Sequence, residues 1–283
     1  STGFTSYRDN IGEISNRGYE LDFRIHAIKS NDMNLVINAN LSHNVNKILK
    51  ISESLKAYNR RVLEKFEKAS NYDNEVSMPF LQYQEGGSLN SIWGIRSMGI
   101  NPADGKEVYI KRDGQLTNSW IASDQVVLGN EDPKAKGAIG INFVYKQFSL
   151  FTSFMYEFGG DRYNQTLVDK VENVNPRHNV DRRAFEERWK NVNDVPPYLD
   201  IANADSRTSY HTSRFVEDDN NVICRSIELS YEFNQNLLKK IGFKRLRLSA
   251  GMKDPFRMST VKFERGTSYP FSRGFTFSIS PTF

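Results

Sequence analysis

Apolar and polar residues alternate along most of this chain, with the period of two that marks a β-strand with one apolar face. Near the end, Tyr269, Phe271, Phe275, Phe277, Ile279, Pro281 and Phe283 share one parity, while Pro270, Ser272, Thr276, Ser278, Ser280 and Thr282 take the other. Near the start, Tyr19, Leu21, Phe23, Ile25 and Ala27 oppose Glu20, Asp22, Arg24 and His26. After a polar turn at residues 29–32, Leu35, Ile37, Ala39 and Leu41 oppose Asn34, Asn38, Asn40 and Ser42. Further on, Ile139, Ile141, Phe143 and Tyr145 lead through a short turn at Lys146–Gln147 into Phe148, Leu150, Thr152, Phe154, Tyr156 and Phe158. Ile223, Ile227, Leu229, Tyr231 and Phe233 follow, and then Leu246, Leu248 and Ala250. Weaker strands are predicted near 88–98 and 106–112, joined by the turn-forming NPADG at 101–105.

The connections sort by length. Turns near 29–32, 101–105 and 146–147 are short, and the one near 234–242 is modest. The segments 44–86, 113–136, 159–220 and 253–268 are long. Short turns on one rim and long loops on the other fit an outer-membrane β-barrel with periplasmic turns and extracellular loops. The pattern predicts an all-β chain of roughly nine antiparallel strands. If the last strand descends to the periplasm, an odd count makes the first strand descend as well. Its upstream neighbour is then outside the chain. An open edge in lipid leaves unpaired N–H and C=O groups, so the chain reads as the C-terminal part of a larger barrel.

Composition fits this picture. Hydrophobic content is 38% and mean hydropathy is -0.59. No apolar run approaches the roughly 20 residues of a spanning helix. The net charge of +4 comes without a basic stripe, which sets nucleic acid aside as a partner. Cys224 is the single cysteine, so no internal disulfide forms. The opening STGFTSYRDN has no initiator methionine, basic stretch or apolar run, and reads as the start of a fragment rather than a signal peptide. The rival fold is a secreted β-sandwich, a carbohydrate-binding or adhesin module. Sandwich strands come with turn signals every roughly 8–12 residues, and the 159–220 segment is far longer. Charged residues on the polar parity, such as Arg245, Arg247, Glu228 and Glu232, suit a wet lumen.

Several blocks, in order, resemble the barrel region of SusC/RagA-type TonB-dependent outer-membrane transporters of Bacteroidetes. They are NRGYELDF (16–23), EGGSLNSIWGIRSMGINPADGKEVYIKRDGQLT (85–117), VLGNEDPKAKGAIGINFVYKQFSLFTSFMYEFGGDRYN (127–164), SRFVEDDNNVICRSIELSYEF (213–233) and the terminal aromatic strand. The polar segment 44–80 departs from the family pattern. The resemblance implies a transmembrane barrel of about 22 strands with a plugged lumen. It implies uptake of a large oligosaccharide or peptide, with a SusD-like surface lipoprotein as lid and TonB acting through a plug that lies outside this chain. Outer-membrane lipid, the rest of the same barrel and the barrel-assembly machinery complete the implied partners, with Phe283 as the assembly signal.

No catalytic constellation emerges. His26, His43, His178 and His211 lack ligand spacing, so neither a metal nor another cofactor is expected. Asp104–Gly105 and Asp113–Gly114 read as turns without the acidic series of a calcium loop. Glu186–Glu187 beside Arg182, Arg183 and Arg188 reads as an ion-pair network on a short helix. For substrate contact the long loops are the place to look. Residues 177–201 are the richest: Trp189 and Tyr198 for stacking, Arg188 and Asp194 for polar contact, Pro196–Pro197 for stiffness. Phe185 and Trp189, four apart, equally suit pinning a short helix to the rim, and the segment equally suits contact with the lid. Leu55, Tyr58, Val62 and Phe66 lie at helical spacing and predict a helix within 52–71.

Overall fold

The computed structural model describes residues 12–69, 74–175, 177–178, 180–200, 208–238, 242–262 and 273–283. The expected positions Tyr269 and Phe271 lie outside the described residues. In chain order the elements are β1 (Gly12–Lys29), β2 (Met33–Ile51), helix α1 (Glu53–Lys68), β3 (Ser91–Gly94), β4 (Arg96–Ile100), β5 (Glu107–Ile110) and β6 (Leu116–Thr117). They continue with β7 (Val126–Asn130), β8 (Ala135–Tyr145), β9 (Phe148–Tyr163), β10 (Val216–Glu232), β11 (Arg245–Ser259) and β12 (Phe275–Thr282). By contacts the chain divides into two compact units, residues 1–17, 45–132 and 160–218 in one and 18–44, 133–159 and 219–283 in the other.

The long strands form one seven-stranded sheet in the order β1-β2-β8-β9-β10-β11-β12. Each pairs with the next long strand along the chain, and the β2–β8, β8–β9, β10–β11 and β11–β12 registers are antiparallel. Those registers place the apolar parities on one face. Leu35 faces Phe143 and Ile37 faces Ile141. Phe143 in turn faces Leu150, and Ile139 faces Phe154. Tyr231 faces Leu248, and Leu248 faces Ile279. The Phe148 and Tyr231 rings meet at 4.8 Å across β9 and β10.

This apolar face is open. Tyr19 is 55% exposed, Ile25 54% and Phe277 79%. A sandwich buries that face against a second sheet; a barrel wall turns it to lipid. The opposite face carries Asn34, Asn38, Ser230, Glu228 and Arg247, the last two 3.6 Å apart. Phe151 and Met155 interrupt that polar face, because they pair with Asn142 and Ala138. The alternation of β9, read from its even-numbered positions, hides them. Several strands run to 16 residues or more, beyond the roughly 9–11 that cross a bilayer.

The strand count is corrected from nine to seven. The predicted strands near 88–98 and 106–112 form, but in separate small sheets: β3 with β7, and β4-β5-β6. They are too short to span a bilayer, and β3 is buried throughout. The hairpin at 101–105 therefore belongs to the single connection between β2 and β8, not to the set of short turns between paired long strands. Removing a hairpin takes away an even number, so the count in the sheet stays odd.

A side-chain hub fixes the far end of β2. Asn46 donates to Asp132 and accepts from Leu89 N (2.8 Å) and Ser88 Oγ (2.9 Å). Asp132 also accepts from Ser88 Oγ and from Asn90 Nδ2 at 2.7 Å.

Candidate ligand-binding region in the long connections

The residues of interest lie in the unit made of 1–17, 45–132 and 160–218. Helix α1 forms where the spacing predicts it. Ser52 Oγ caps it by accepting from Leu55 N at 3.2 Å. Glu53 opens the helix and Lys65 and Lys68 close it, as its dipole favours. Leu55, Val62 and Phe66 form the buried stripe; Tyr58 stays 39% exposed. Phe66 meets Phe80 (5.2 Å), Trp120 (5.5 Å) and His211 (4.8 Å).

His211 is fully buried. Its Nδ1 lies 2.9 Å from Val76 O. A carbonyl only accepts, so Nδ1 carries the proton. Nε2 faces the Gln125 side-chain amide at 3.3 Å. Burial pulls the His211 pKa down to about 4, and the Val76 hydrogen bond opposes that only in part. The ring is neutral at pH 7.

A second buried group is ionic. Arg214 donates to Glu107 (2.9 Å), to Glu172 (2.7 Å) and to Pro197 O (2.8 Å). Glu172 also accepts from Ser209 Oγ at 3.0 Å. Burial works against the Arg214 charge, but Glu172 and Glu107 outweigh it and its pKa is raised. The knot ties β5, the short π-helix Val168–Glu172 and the entry to β10 into one body. Glu107 Oε1, Glu172 Oε2 and Arg214 Nε have no hydrogen-bond partner there.

The candidate residues of segment 177–201 come together, but mostly to hold the segment. Arg188 is buried and donates to the carbonyls of Val171, Glu172 and Leu199. Burial lowers its pKa and Glu172 opposes that shift. Tyr198 is buried with Val168, Val171 and Phe215. Burial, helped by Glu187, pushes its hydroxyl pKa up to about 12. Asp194 closes a turn by accepting from the backbone N–H of Lys190 and Asn191 (3.1 and 2.7 Å). Trp189 is half-buried; its Nε1–H donates to Pro102 O at 3.0 Å. Phe185 and Trp189 do not pair along a helix, because the helix covers only Arg183–Glu186 and Phe185 is 44% exposed. The Arg182–Glu186 ion pair does form, at 2.5 Å.

Gly105 makes the Trp189 contact possible. Its φ is +68°, and a Cβ there would lie 2.7 Å from the indole. Gly105→Ala should destabilise this contact by at least 1–2 kcal/mol, roughly the left-handed penalty alone. Faster protease cleavage of the folded receptor in this connection is the expected signal; wild-type cleavage would contradict it.

A cleft of about 210 Å³ opens in this unit, lined by Met78, Pro79, Leu81, Ile92, Glu131 and Gln165 among others. Sequence reading missed it, and missed Glu107, Glu172, Arg214 and His211 as buried groups. Among the described residues no set of three His, Cys, Asp or Glu could hold a metal ion. Among the described residues no helix is long and apolar enough to cross a membrane, which leaves crossing by strands open.

One antiparallel sheet with an open aromatic face and a polar reverse face defines an outer-membrane barrel wall. No family model matches the chain. It is similar to TonB-dependent receptor P39 of Formosa agariphila, 27% identical over 295 residues and 92% of this chain. It is also similar to TonB-dependent receptor P3 of the same organism, 23% identical over 263 residues and 87% of the chain. The chain spans 28% and 24% of those proteins. Among solved structures, the RagAB peptide importer in its open-open state matches all of this chain and 30% of its own, with TM-score 0.74 and 16% identity. A structure of the RagAB peptide transporter matches 92% of this chain and 27% of its own, with TM-score 0.70 and 17% identity. At such identities these structures speak for the fold. Along 92% of its length the chain is thus similar to a TonB-dependent receptor, and its fold is that of part of an outer-membrane β-barrel.

Proposed function

We propose that the whole protein, of which this chain is a part, imports a large nutrient across the outer membrane. The cargo is an oligosaccharide or a peptide. Transport is driven by TonB through a plug inside the barrel, with a SusD-like surface lipoprotein as lid. No bond is broken in that task, so no catalytic role is assigned. The observation that carries this reading is the likeness to TonB-dependent receptors along 92% of the chain. The open apolar face of the sheet supports it, because only lipid or more protein can cover such a face. The solved neighbours are described as a peptide transporter, which keeps peptides among the cargoes.

In this reading the connections 52–134, 164–215 and 260–274 face outward, and the turns at 30–32, 146–147 and 233–244 face the periplasm. Arg188 and Tyr198 hold the segment 187–198 in shape. Trp189 and Asp194 are its substrate-side groups. Phe283 is the residue read by the barrel-assembly machinery, and its deletion should lower the amount of assembled receptor.

Deletion of the gene from its host, followed by uptake of labelled peptide and oligosaccharide mixtures, tests the reading. Uptake of at least one cargo should fall to background and return with the full gene. Unchanged uptake of both would overturn it. Trp189→Ala should cut uptake several-fold at unchanged outer-membrane receptor levels; full uptake would remove Trp189 from the substrate side.

A further inference from the structure

We infer that the cleft beside Met78–Leu81 is a subsite for an aliphatic side chain of a peptide, with a neighbouring cation held by Glu131. This rests on the import reading and narrows its cargo.

The walls make the case. Met78, Pro79, Leu81 and Ile92 supply aliphatic surface. Met78 and Leu81 are 46% and 48% exposed, so the surface is open to a ligand. Met is a side chain that reshapes to varied apolar partners. The volume of about 210 Å³ is below the roughly 300–1,000 Å³ of sites that enclose a whole small molecule. It suits one or two side chains of a longer ligand.

The aromatic residues of the cleft argue against a sugar. A sugar-binding platform needs a ring with an open face. Phe80 is flanked by the Phe66 ring at 5.2 Å and by the Lys65 ammonium at 4.7 Å over its face. Tyr163 packs against Phe215 at 6.1 Å, and its hydroxyl donates to Ser77 O at 2.8 Å. One face of Phe80 is thus taken by a cation, and the Tyr163 hydroxyl is spent inside the protein.

One polar group fits a peptide. Residues 79–84 belong to no helix or strand, and the Tyr83 N–H and C=O in this segment are both taken by the Asn59 side chain. Gln165 spends its amide nitrogen on Ser77 (3.3 Å) and Asp169 (2.7 Å). Its amide oxygen is enclosed and has no hydrogen-bond partner. Glu131 is the charged residue of the lining. It is exposed, and its carboxylate has no ion-pair partner among the described residues. An α-amino or lysine ammonium group on the ligand complements it.

The test uses the full receptor purified in detergent, with three probes: a lysine–leucine pentapeptide, its lysine–serine counterpart and the N-acetylated leucine peptide with glutamine in place of lysine. The first should bind about tenfold or more tightly than the second, the worth of burying one aliphatic side chain. Leu81→Gln and Met78→Gln, both at exposed positions, should erase that preference. Glu131→Gln should erase the preference for the cationic over the neutral leucine peptide. Equal binding of the leucine and serine peptides, or variants that keep the preferences, would overturn the subsite. So would variants that only release a lipoprotein partner, since the cleft would then be a lid contact. Uptake in the gene-deletion strain separates the two readings. Lost uptake with failed peptide preferences sinks the subsite alone; unchanged uptake sinks the import reading.

Discussion

Arg214→Met should open the connection between β9 and β10. The Arg214 side chain is 8% exposed, and its partners Glu107 and Glu172 are 2% and 0% exposed. Removing the cation leaves two carboxylates buried together without a counter-charge. Breaking a buried pair in this way costs about 3–5 kcal/mol. Native-state proteolysis of the receptor in detergent measures it, because cleavage follows the population of the open form. Cleavage in 164–215 should rise by about two orders of magnitude or more. The band that shifts on heating reports separately whether the barrel assembled. A triple variant, Arg214→Met with Glu107→Gln and Glu172→Gln, should recover much of the loss, since the charges leave together. Wild-type protection in the single variant would show that the knot is not what holds this connection.

Acid should weaken the same unit through His211. Its folded pKa is about 4, below its ordinary value of 6.5. The unfolded chain therefore takes up the proton first. Stability is complete above pH 6.5 and falls as the pH drops toward 4. The slope is roughly 1.4 kcal/mol per pH unit, or about 3 kcal/mol across that window. His211→Gln removes this titration, so its protection should vary less between pH 6.5 and 4 than that of the wild type. Other groups titrate in both proteins, and the difference between the two profiles isolates His211. Trp120 lies 5.2 Å from the ring and offers a fluorescence readout of the same event. Superimposable profiles would remove His211 as the acid-sensitive group.

The barrel wall was legible because its physics is local. Leu35, Ile37, Ala39 and Leu41 need only face one way to announce a strand. Helix α1 was legible for a similar reason, with Leu55, Tyr58, Val62 and Phe66 at helical spacing. What failed depends on distant partners. β2 continues to Ile51 because Asn46 meets Asp132, Ser88 and Leu89, none of them close in sequence. The strand signal at 88–98 was correct, but alternation carries no information about which sheet a strand joins. Arg188 and Tyr198 are residue types common at binding surfaces. Here carbonyls at Val171 and Leu199 claim the first, and the Val168–Phe215 cluster claims the second. Glu107 sits in an ordinary strand sequence, and only Arg214, far along the chain, explains its burial. The cleft had no sequence signature, because its lining comes from four separated stretches of chain.

One property of the seven-stranded sheet reaches beyond its own residues. With an odd number of alternating strands, β1 and β12 point the same way. Brought together, these edges could pair only in parallel, against the antiparallel rule of every other seam in the wall. The sheet is thereby prevented from curling up into a small ring of its own. Closing it with antiparallel seams throughout takes an odd set of further strands.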